Sequence, residues 1–372
     1  MRILVDYRPA LRERTGVGEY IHQMVRAYTR AHDDQVSVFT SSWKDRPPPG
    51  LASELGATVI DRRVPVRALN LLWHRAGWPA IESVAGACDV VHAAHPLLIP
   101  ARRAAQVITI HDLYFLSEPD RMRAEIKRDY PALAAAHAQH ADAIVTSTEY
   151  GKRLVIEQLH VAPDRIYVCP PGAPSWQALG RAPNVPRDGC ILFVGTLERR
   201  KNIGALLDAY ALLVQRHPQL PPLVLAGRAT ADATAWLARI AEPPLAGRVR
   251  HLGYVGADAR ERLFASARVL VLPSLDEGFG LTALEAMSAG IPLVASNRGS
   301  LPEVVGGGGT LVDPADVEAI AAAIERVTTS EAAATESGLA GLARARAFTW
   351  GAAATTLRQA YVDAVARRQA RG

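Results

Sequence analysis

Residues 272–290 read LPSLDEGFGLTALEAMSAG. The apolar run that ends here predicts a buried strand, the glycines at 278 and 280 predict a turn, and the apolar spacing after them predicts a helix. Glycines let backbone amides approach a ligand closely, and the start of a helix carries about half a positive charge. Glu277 precedes the helix and Glu285 lies on its first turns, so both can face one cleft. This strand–loop–helix unit predicts an α/β fold with a site for a phosphate or a hydroxyl-rich sugar.

The second acid of this stretch also has a structural interpretation. Thr282 and Glu285 have the spacing of a capping box, in which the Glu285 side chain would only close the start of the helix. The spacing alone leaves both interpretations open.

The alternation of apolar strands and amphipathic helices continues through the chain in both directions. It predicts parallel sheets with crossover helices, whose ligands lie beyond the carboxyl ends of the strands. The predicted strands of the first half are residues 2–6, 35–40, 58–61, 89–92, 105–111, 143–147 and 165–168. Those of the second half are residues 190–195, 223–227, 249–253, 269–273, 292–296 and 310–312. We therefore expect two Rossmann-like, doubly wound domains that face a central cleft.

The length of the chain supports two domains, because 372 residues exceed the roughly 250–300 that one hydrophobic core supports. The Pro- and Gly-rich stretch 173–188 is the predicted linker between an N-terminal domain, residues 1–172, and a C-terminal domain, residues 189–349. Residues 350–372 form an amphipathic helix after the second domain is complete, and we expect this helix to cross back onto the first domain.

Composition and charge exclude several classes of protein. The chain has 42 basic and 37 acidic residues and a net charge of +5, without the clustered patch that nucleic-acid binding needs. No apolar run approaches the roughly 18–20 residues that span a bilayer, and an acid at Asp6 interrupts any signal-peptide core. The three cysteines, Cys88, Cys169 and Cys190, are widely spaced and form neither a metal pattern nor a paired framework. We expect a cytoplasmic protein.

A second stretch with chemical potential is residues 193–202, FVGTLERRKN, at the end of the first strand of the second domain. Arg200 and Lys201 lead into a helix, so two cations meet a helix N-terminus. Preplaced cations of this kind can hold the charge of a diphosphate. Two basic residues in a turn are more often a solvated surface, although Lys201 is one of only four lysines in the chain.

The spacing of Glu277 and Glu285 within residues 272–290 resembles the donor-site signature of GT4-family retaining glycosyltransferases, and the resemblance extends over nearly the whole chain. It implies a GT-B fold in which the second domain holds a nucleotide sugar and the first receives the acceptor. By this resemblance Glu277 contacts the hexose hydroxyls, Glu285 contacts the ribose hydroxyls, and Arg200 and Lys201 hold the diphosphate. The main-chain amides of the glycine turn would contact sugar and diphosphate; they belong to Gly278, Phe279, Gly280 and Leu281.

The resemblance implies roles for further residues at strand ends. His111 follows a strand of the first domain and would orient the donor sugar. Gly16 and Gly18 form a glycine loop beside the diphosphate, with a tight strand-to-helix turn as the structural alternative. In the second domain residues 254 and 255, Tyr254 and Val255, would meet the nucleobase. Arg228 follows another strand at the same rim, and from this position we expect it to touch phosphate or ribose. Substituting Glu277 or Lys201 by alanine is expected to cut turnover strongly and to leave the melting temperature nearly unchanged.

The resulting interpretation is a metal-independent retaining hexosyltransferase without a cofactor, whose first donor candidate is GDP-mannose. The leaving diphosphate would accept the acceptor's proton in a front-side attack. The expected acceptor is a glycan or a lipid-linked saccharide. The alternatives are a UDP-sugar-dependent enzyme of the same family and a non-catalytic nucleotide-sugar-binding subunit. Residues 64–78 mix aromatic residues with arginine. This pattern indicates either contact with the inner face of the cell membrane or with a lipid-linked acceptor, or a half-buried helix under the acceptor loops.

Overall fold

The computed structural model describes residues 1–11, 16–117, 130–174 and 189–371. The chain forms two compact units. The first unit comprises Met1–Gly172 and Thr349–Gly372, and the second comprises Ala173–Phe348. The predicted linker falls mostly on residues 175–188, which lie outside the described residues.

The first unit is built on a seven-stranded sheet in the order β3-β2-β1-β4-β5-β6-β7, and every neighbouring pair is parallel. Its strands are β1 (Arg2–Asp6), β2 (Gln35–Ser41), β3 (Thr58–Arg62), β4 (Val90–Ala93), β5 (Ala105–Ile110), β6 (Ala143–Thr146) and β7 (Ile166–Val168). Its helices before the linker are α1 (Gly16–Ala31), α2 (Leu51–Leu55), α3 (Val66–Leu71), α4 (Ile81–Ala85), α5 (Tyr114–Ser117), α6 (Tyr130–His140) and α7 (Glu149–Leu159).

Both faces of this sheet are buried. In β1 the side chains of Ile3 and Val5 pack with α1, whereas Leu4 packs on the opposite face with Phe39 and Trp73. Successive side chains of a strand point to opposite faces, so an uninterrupted apolar run such as ILV needs cover on both sides. This is why the strands of the unit could be recognised from continuous apolar runs.

The second unit repeats the plan with a six-stranded parallel sheet in the order β10-β9-β8-β11-β12-β13. Its strands are β8 (Cys190–Val194), β9 (Leu223–Ala226), β10 (Val249–His251), β11 (Ala267–Leu272), β12 (Leu293–Ser296) and β13 (Thr310–Val312). Its helices are α8 (Ile203–Arg216), α9 (Thr234–Arg239), α10 (Ala257–Ala265), α11 (Leu281–Ser288), α12 (Leu301–Val305), α13 (Val317–Thr329) and α14 (Glu331–Ala345). The predicted class of two Rossmann-like α/β domains is confirmed.

The last helix, α15 (Trp350–Arg371), belongs to the first unit. Its buried side chains, among them Leu357 and Tyr361, join the cluster formed by α1 and one face of the sheet. The Tyr361 hydroxyl is 2.8 Å from Nδ1 of the buried His92, and Nε2 of this ring is 2.7 Å from Thr109 Oγ1. A Cβ atom on Gly172 would lie 2.3 Å from the Trp350 backbone nitrogen, so only glycine allows this approach.

One local prediction for the first unit is wrong. Gly16 and Gly18 were expected in a loop before the first helix, but both lie inside the first turn of α1. Gly18 is buried and Gly16 is exposed. The entropic cost of glycine is a property of the helix middle, so the first turn accommodates these two residues.

Candidate active site

The carboxyl edge of the second sheet is shaped by close backbone approaches. A Cβ atom on Gly227, after β9, would lie 1.8 Å from the carbonyl oxygen of Gly195, after β8. Gly227 also has φ +148 and donates its N–H to the Gly253 carbonyl at 2.7 Å. Glycine at these strand ends therefore brings the loops after β8, β9 and β10 together.

The loop after β11 ends at Gly280, which has φ +90 and precedes the first residue of α11. A Cβ atom here would lie 2.6 Å from Leu301 Cδ2, so glycine is needed for both backbone angle and space. The first turn of α11 follows, and its amides have no acceptors within the helix. The capping-box interpretation is wrong, because Gly280 holds the cap position without a side-chain hydrogen bond and Glu285 has another partner.

Glu277 lies at the centre of the candidate site and is buried, with 6% of its surface exposed. Lys201 Nζ donates to Oε1 at 2.5 Å, and Ser274 Oγ donates to the same oxygen at 2.8 Å. Arg200 Nη1 donates to Oε2 at 3.3 Å. The carboxylate from the loop after β11 therefore meets two cations from the turn after β8, 76 and 77 residues away in sequence.

These partners keep Glu277 ionised. Burial alone raises the pKa of a carboxyl group, but the charges of Lys201 and Arg200 and the hydrogen bonds from Lys201 and Ser274 outweigh it. The pKa of Glu277 is therefore lower than its ordinary value. The result is a buried carboxylate with two cations at its edge, a charge arrangement suited to a ligand that carries hydroxyl groups beside a phosphate.

Backbone contacts hold the two cations in place. Arg199–Lys201 form a short 3₁₀ turn, and the N–H of Lys201 bonds the Glu198 carbonyl at 3.0 Å. Arg200 also contacts the Asp276 carbonyl at 3.2 Å, and its own carbonyl accepts the N–H of Leu275 at 2.8 Å. The turn after β8 and the loop after β11 are therefore fixed to each other on both sides of the Arg200 side chain.

Glu285 projects from α11 and forms an ion pair with Arg260 of α10. Both side chains are mostly buried, with exposures of 24% for Arg260 and 13% for Glu285. The sequence gives no signal for this pair, because the two residues lie on different helices. The Glu285 carboxylate is therefore held in a defined direction by a partner that sequence reasoning missed.

Other predicted donor-site residues lie at the same edge of the second sheet. The Arg228 guanidinium lies 5.3 Å from the centre of the Tyr254 ring, and Tyr254 is 45% exposed. Val255 packs partly against the core. The Phe279 ring is buried in an edge-to-face contact with Phe348, with centroids 5.7 Å apart, so only its main chain can serve a ligand.

The predicted residues of the first unit form a separate group. His111 directly follows β5, and its ring packs edge-to-face on Tyr20 with centroids 5.0 Å apart. Burial lowers the pKa of His111 to about 4, so the ring is neutral near pH 7. It hydrogen-bonds the backbone of Ala94, and within the described ranges its buried Nε2 has no partner. The neutral ring therefore presents a lone pair that suits a hydroxyl donor.

Among the described residues the structure has neither a cluster of metal ligands nor a membrane-spanning helix. Across the residues that the structure describes, no group of three or more His, Cys, Asp or Glu side chains is arranged to hold a metal ion. In the same part of the chain, no helix combines the length and apolar character needed to cross a bilayer.

Two family models match the chain. The model described as Glycosyltransferase Family 4 matches residues 14–175, and the model described as Glycosyl transferases group 1 matches residues 188–330. The O-antigen chain mannosyltransferase B of Escherichia coli is 32% identical, over 97% of this chain and 99% of that protein. The chain belongs to glycosyltransferase family 4. The resemblance carried by residues 272–290 is thus confirmed, and the protein is a glycosyltransferase.

Further relatives of this glycosyltransferase agree with the assignment. The serotype-specific mannosyltransferase WbdA of Escherichia coli is 33% identical to this chain over a matched region. That region covers 66% of this chain and 32% of WbdA. The solved structure of sucrose-phosphate synthase from Thermosynechococcus elongatus has a TM-score of 0.75 at 22% identity, and the match covers 97% of this chain and 98% of that one. Identity this low shows the fold alone, and that fold confirms the GT-B prediction.

Proposed function

We propose that this family 4 enzyme transfers a hexose from a nucleoside diphosphate sugar to a hydroxyl group of a saccharide, with retention of configuration. One observation carries the proposal: Lys201 and Arg200 lie within 3.3 Å of the buried Glu277 carboxylate. In a nucleotide sugar a single oxygen joins the hexose to the diphosphate. A site for this ligand must therefore place hydroxyl acceptors directly beside phosphate-binding cations.

The proposed binding mode uses each partner of this cluster. The diphosphate lies against Lys201 and Arg200, while Glu277 accepts hydrogen bonds from hexose hydroxyls. The first amides of α11 face the same ligand, and the positive end of the helix favours its negative charge. Glu285, directed by Arg260, accepts from the ribose hydroxyls, and the exposed ring of Tyr254 stacks on the base.

The proposed chemistry is a front-face substitution at the anomeric carbon. The bond from this carbon to the phosphate oxygen breaks while a bond to the acceptor oxygen forms on the same face. The acceptor's proton passes to the leaving diphosphate. Lys201 and Arg200 hold the charge that develops on the leaving group, and such preplaced charges are worth several kcal/mol in a water-poor site. We propose that neither a metal ion nor another cofactor takes part.

We propose mannose as the transferred hexose and GDP-mannose as the donor. Support for mannose comes from the 32% identity to the O-antigen chain mannosyltransferase B over nearly the full length of both chains. That relative also supports a glycan, free or lipid-linked, as the acceptor. His111 is proposed to orient the donor sugar by accepting from a hydroxyl at Nε2, because its neutral ring cannot act as a cation.

The test is the product of the purified chain with GDP-mannose in metal-free buffer, followed by proton NMR at the anomeric centre. Mannose released or transferred as the α-anomer supports the proposal, since GDP-mannose is itself α-linked. A β-product would contradict retention, and turnover with UDP-sugars alone would replace the donor but keep the class. No turnover with any nucleotide sugar would favour the non-catalytic binding subunit. Glu277→Gln is the matched inactive variant.

A further inference from the structure

Three aromatic rings in contact connect the last helix of the first unit to His111. The Tyr20 ring of α1 packs edge-to-face on the His111 ring, with centroids 5.0 Å apart. The same tyrosine ring packs against Trp350, the first residue of α15, with centroids 6.0 Å apart and a tilt of 53°. Rings at these separations attract each other and favour tilted or edge-to-face arrangements. We call Trp350, Tyr20 and His111 the ring series.

Both ends of the ring series are held by the backbone. A Cβ atom on Gly172 would lie 2.5 Å from Trp350 Cδ1, so the indole packs directly on the main chain at this position. At the other end His111 hydrogen-bonds the backbone of Ala94, after β4. Tyr20 lies between the two and is only 4% exposed. The middle ring therefore has fixed neighbours.

Tyr20 makes these contacts through its ring and not through its hydroxyl group. The hydroxyl oxygen is buried, and among the described residues it has no hydrogen-bond partner. A buried hydroxyl without a partner contributes nothing favourable to the fold. Any effect of Tyr20 on His111 is therefore expected to come from the shape and position of the aromatic ring.

We propose that Tyr20 is a positioning residue whose ring fixes the angle of the His111 ring, and that Trp350 in turn fixes Tyr20. The inference rests on the proposed function, in which Nε2 of His111 accepts a hydrogen bond from a hydroxyl of the donor sugar. The second torsion of a histidine side chain is soft, so one hydrogen bond to Ala94 leaves the ring free to tilt. The edge-to-face contact with Tyr20 removes this freedom and keeps Nε2 aimed in one direction.

The test compares variants that keep or remove the aromatic ring. Tyr20→Leu removes the ring but keeps an apolar side chain, and Tyr20→Phe keeps the ring. Tyr28→Leu is the matched control: Tyr28 lies on the same helix, is 2% exposed and packs edge-to-face on His32 with centroids 4.9 Å apart. Trp350→Leu tests the second contact of the ring series, and it takes the place of Tyr20→Leu if that variant does not fold.

The first measurement is turnover. Tyr20→Leu should lower kcat about tenfold and change KM for the donor less than about twofold, because diphosphate binding is untouched while the sugar is misaligned. Trp350→Leu should lower kcat about threefold, and Tyr20→Phe should restore it to within about twofold of the parent. Tyr28→Leu should lose stability without losing kcat. Added to His111→Gln, the Tyr20→Leu change should cause no further loss, because both act through one group.

The second measurement is an NMR titration of the histidine rings in the absence of donor, with His111 assigned from the spectrum of His111→Gln. Burial lowers the pKa of His111 to about 4. The other titratable groups around the ring are Asp112, His95 and His92, and none of them is changed. Because Tyr20→Leu admits water to the ring, the pKa should rise towards its ordinary value of about 6.5, and Tyr20→Phe should leave it low.

Several results would overturn the positioning role. These are parent-like kcat in Tyr20→Leu, an equal loss of kcat in Tyr20→Phe or Tyr28→Leu, and a further loss in the His111→Gln background. An unchanged pKa of His111 in Tyr20→Leu would overturn it as well. Failure of the parent to turn over any nucleotide sugar would contradict the proposed function instead, and the titration would still test the position of the ring because it needs no donor.

Discussion

The most informative substitution is Lys201→Met, because it removes one of the two cations beside Glu277 and keeps the length of the side chain. We expect a large loss of turnover with a moderate loss of stability. Turnover falls because one preplaced charge no longer stabilises the leaving diphosphate. Loss of a single such contribution costs about 2.7–4 kcal/mol, or about 10²–10³ in kcat.

The loss of stability follows from the geometry of the cluster. Lys201 lies 2.5 Å and Arg200 lies 3.3 Å from the Glu277 carboxylate. With an effective dielectric constant of about 20, the Lys201 pair gives about 7 kcal/mol of gross attraction and the Arg200 pair about 5 kcal/mol. About two fifths of the total attraction on the Glu277 carboxylate therefore remains when Lys201 is removed. Removing one partner of a buried ion pair costs about 3–5 kcal/mol. Because Arg200 and Ser274 stay, we expect about 2 kcal/mol, which lowers Tm by about 4–8 °C for a unit of this size.

The assay measures GDP-mannose turnover and thermal unfolding on the same preparations of parent and variant. Arg199→Met is the matched control, because Arg199 lies on the same turn and is exposed. The control should keep both activity and Tm. Turnover of Lys201→Met equal to that of the control would contradict a role for Lys201 at the leaving group, and so would an equal loss of turnover in Arg199→Met.

Three further predictions follow from other parts of the structure. Arg260→Gln should raise KM for the donor about tenfold with little change in kcat, because a misdirected Glu285 weakens binding equally in the ground state and the transition state. The control Arg262→Gln, on the same helix, should change neither KM nor kcat. Gly280→Ala should weaken donor binding and cost about 1–3 kcal/mol of stability through the strained backbone angle, measured by denaturant unfolding. Burial lowers the pKa of His92 to about 3. In the unfolded chain His92 therefore takes up a proton at a higher pH than in the folded chain. As pH falls from about 6.5 to about 3, this one group lowers the free energy of unfolding by about 1.4 kcal/mol per pH unit. His92→Gln should unfold with a correspondingly shallower pH dependence.

Each of these has a clear contradictory outcome. A kcat loss in Arg260→Gln without a KM change would show that Arg260 does not act through ribose binding. Parent-like donor affinity of Gly280→Ala would remove the glycine turn from the site. An identical pH slope for parent and His92→Gln would show that His92 does not titrate on unfolding.

The sheets could be predicted from the sequence because their signal is local. Runs such as residues 3–5 and 269–272 are apolar without alternation, and their short length favours a strand that is covered on both faces. The glycine turn was equally local, and at Gly280 both the backbone angle and the space demand a residue without a Cβ atom. Strand ends were displaced by one or two residues, as element ends commonly are.

The partners within the site could not be predicted, because they arise from tertiary contact. Nothing near Glu277 in the sequence indicates that it is buried between Lys201 and Arg200, and the expectation that its substitution leaves Tm unchanged ignored this burial. Arg260 was missed for the same reason. Ser274 stood within the quoted stretch, three residues before Glu277, and could have been found as a nearby hydroxyl donor.

The central claim is that Lys201 and Glu277 form part of a nucleotide-sugar site, and a thermal-shift panel tests it most directly. The panel compares GDP, UDP, ADP and TDP and their common sugars, without metal, on the parent and on Lys201→Met. At about 100 times its dissociation constant a ligand adds about 2.7 kcal/mol of stability, which is easily resolved. We expect a selective shift with GDP and GDP-mannose in the parent and no such shift in Lys201→Met. A shift of equal size in both proteins, or no shift with any nucleotide, would contradict it.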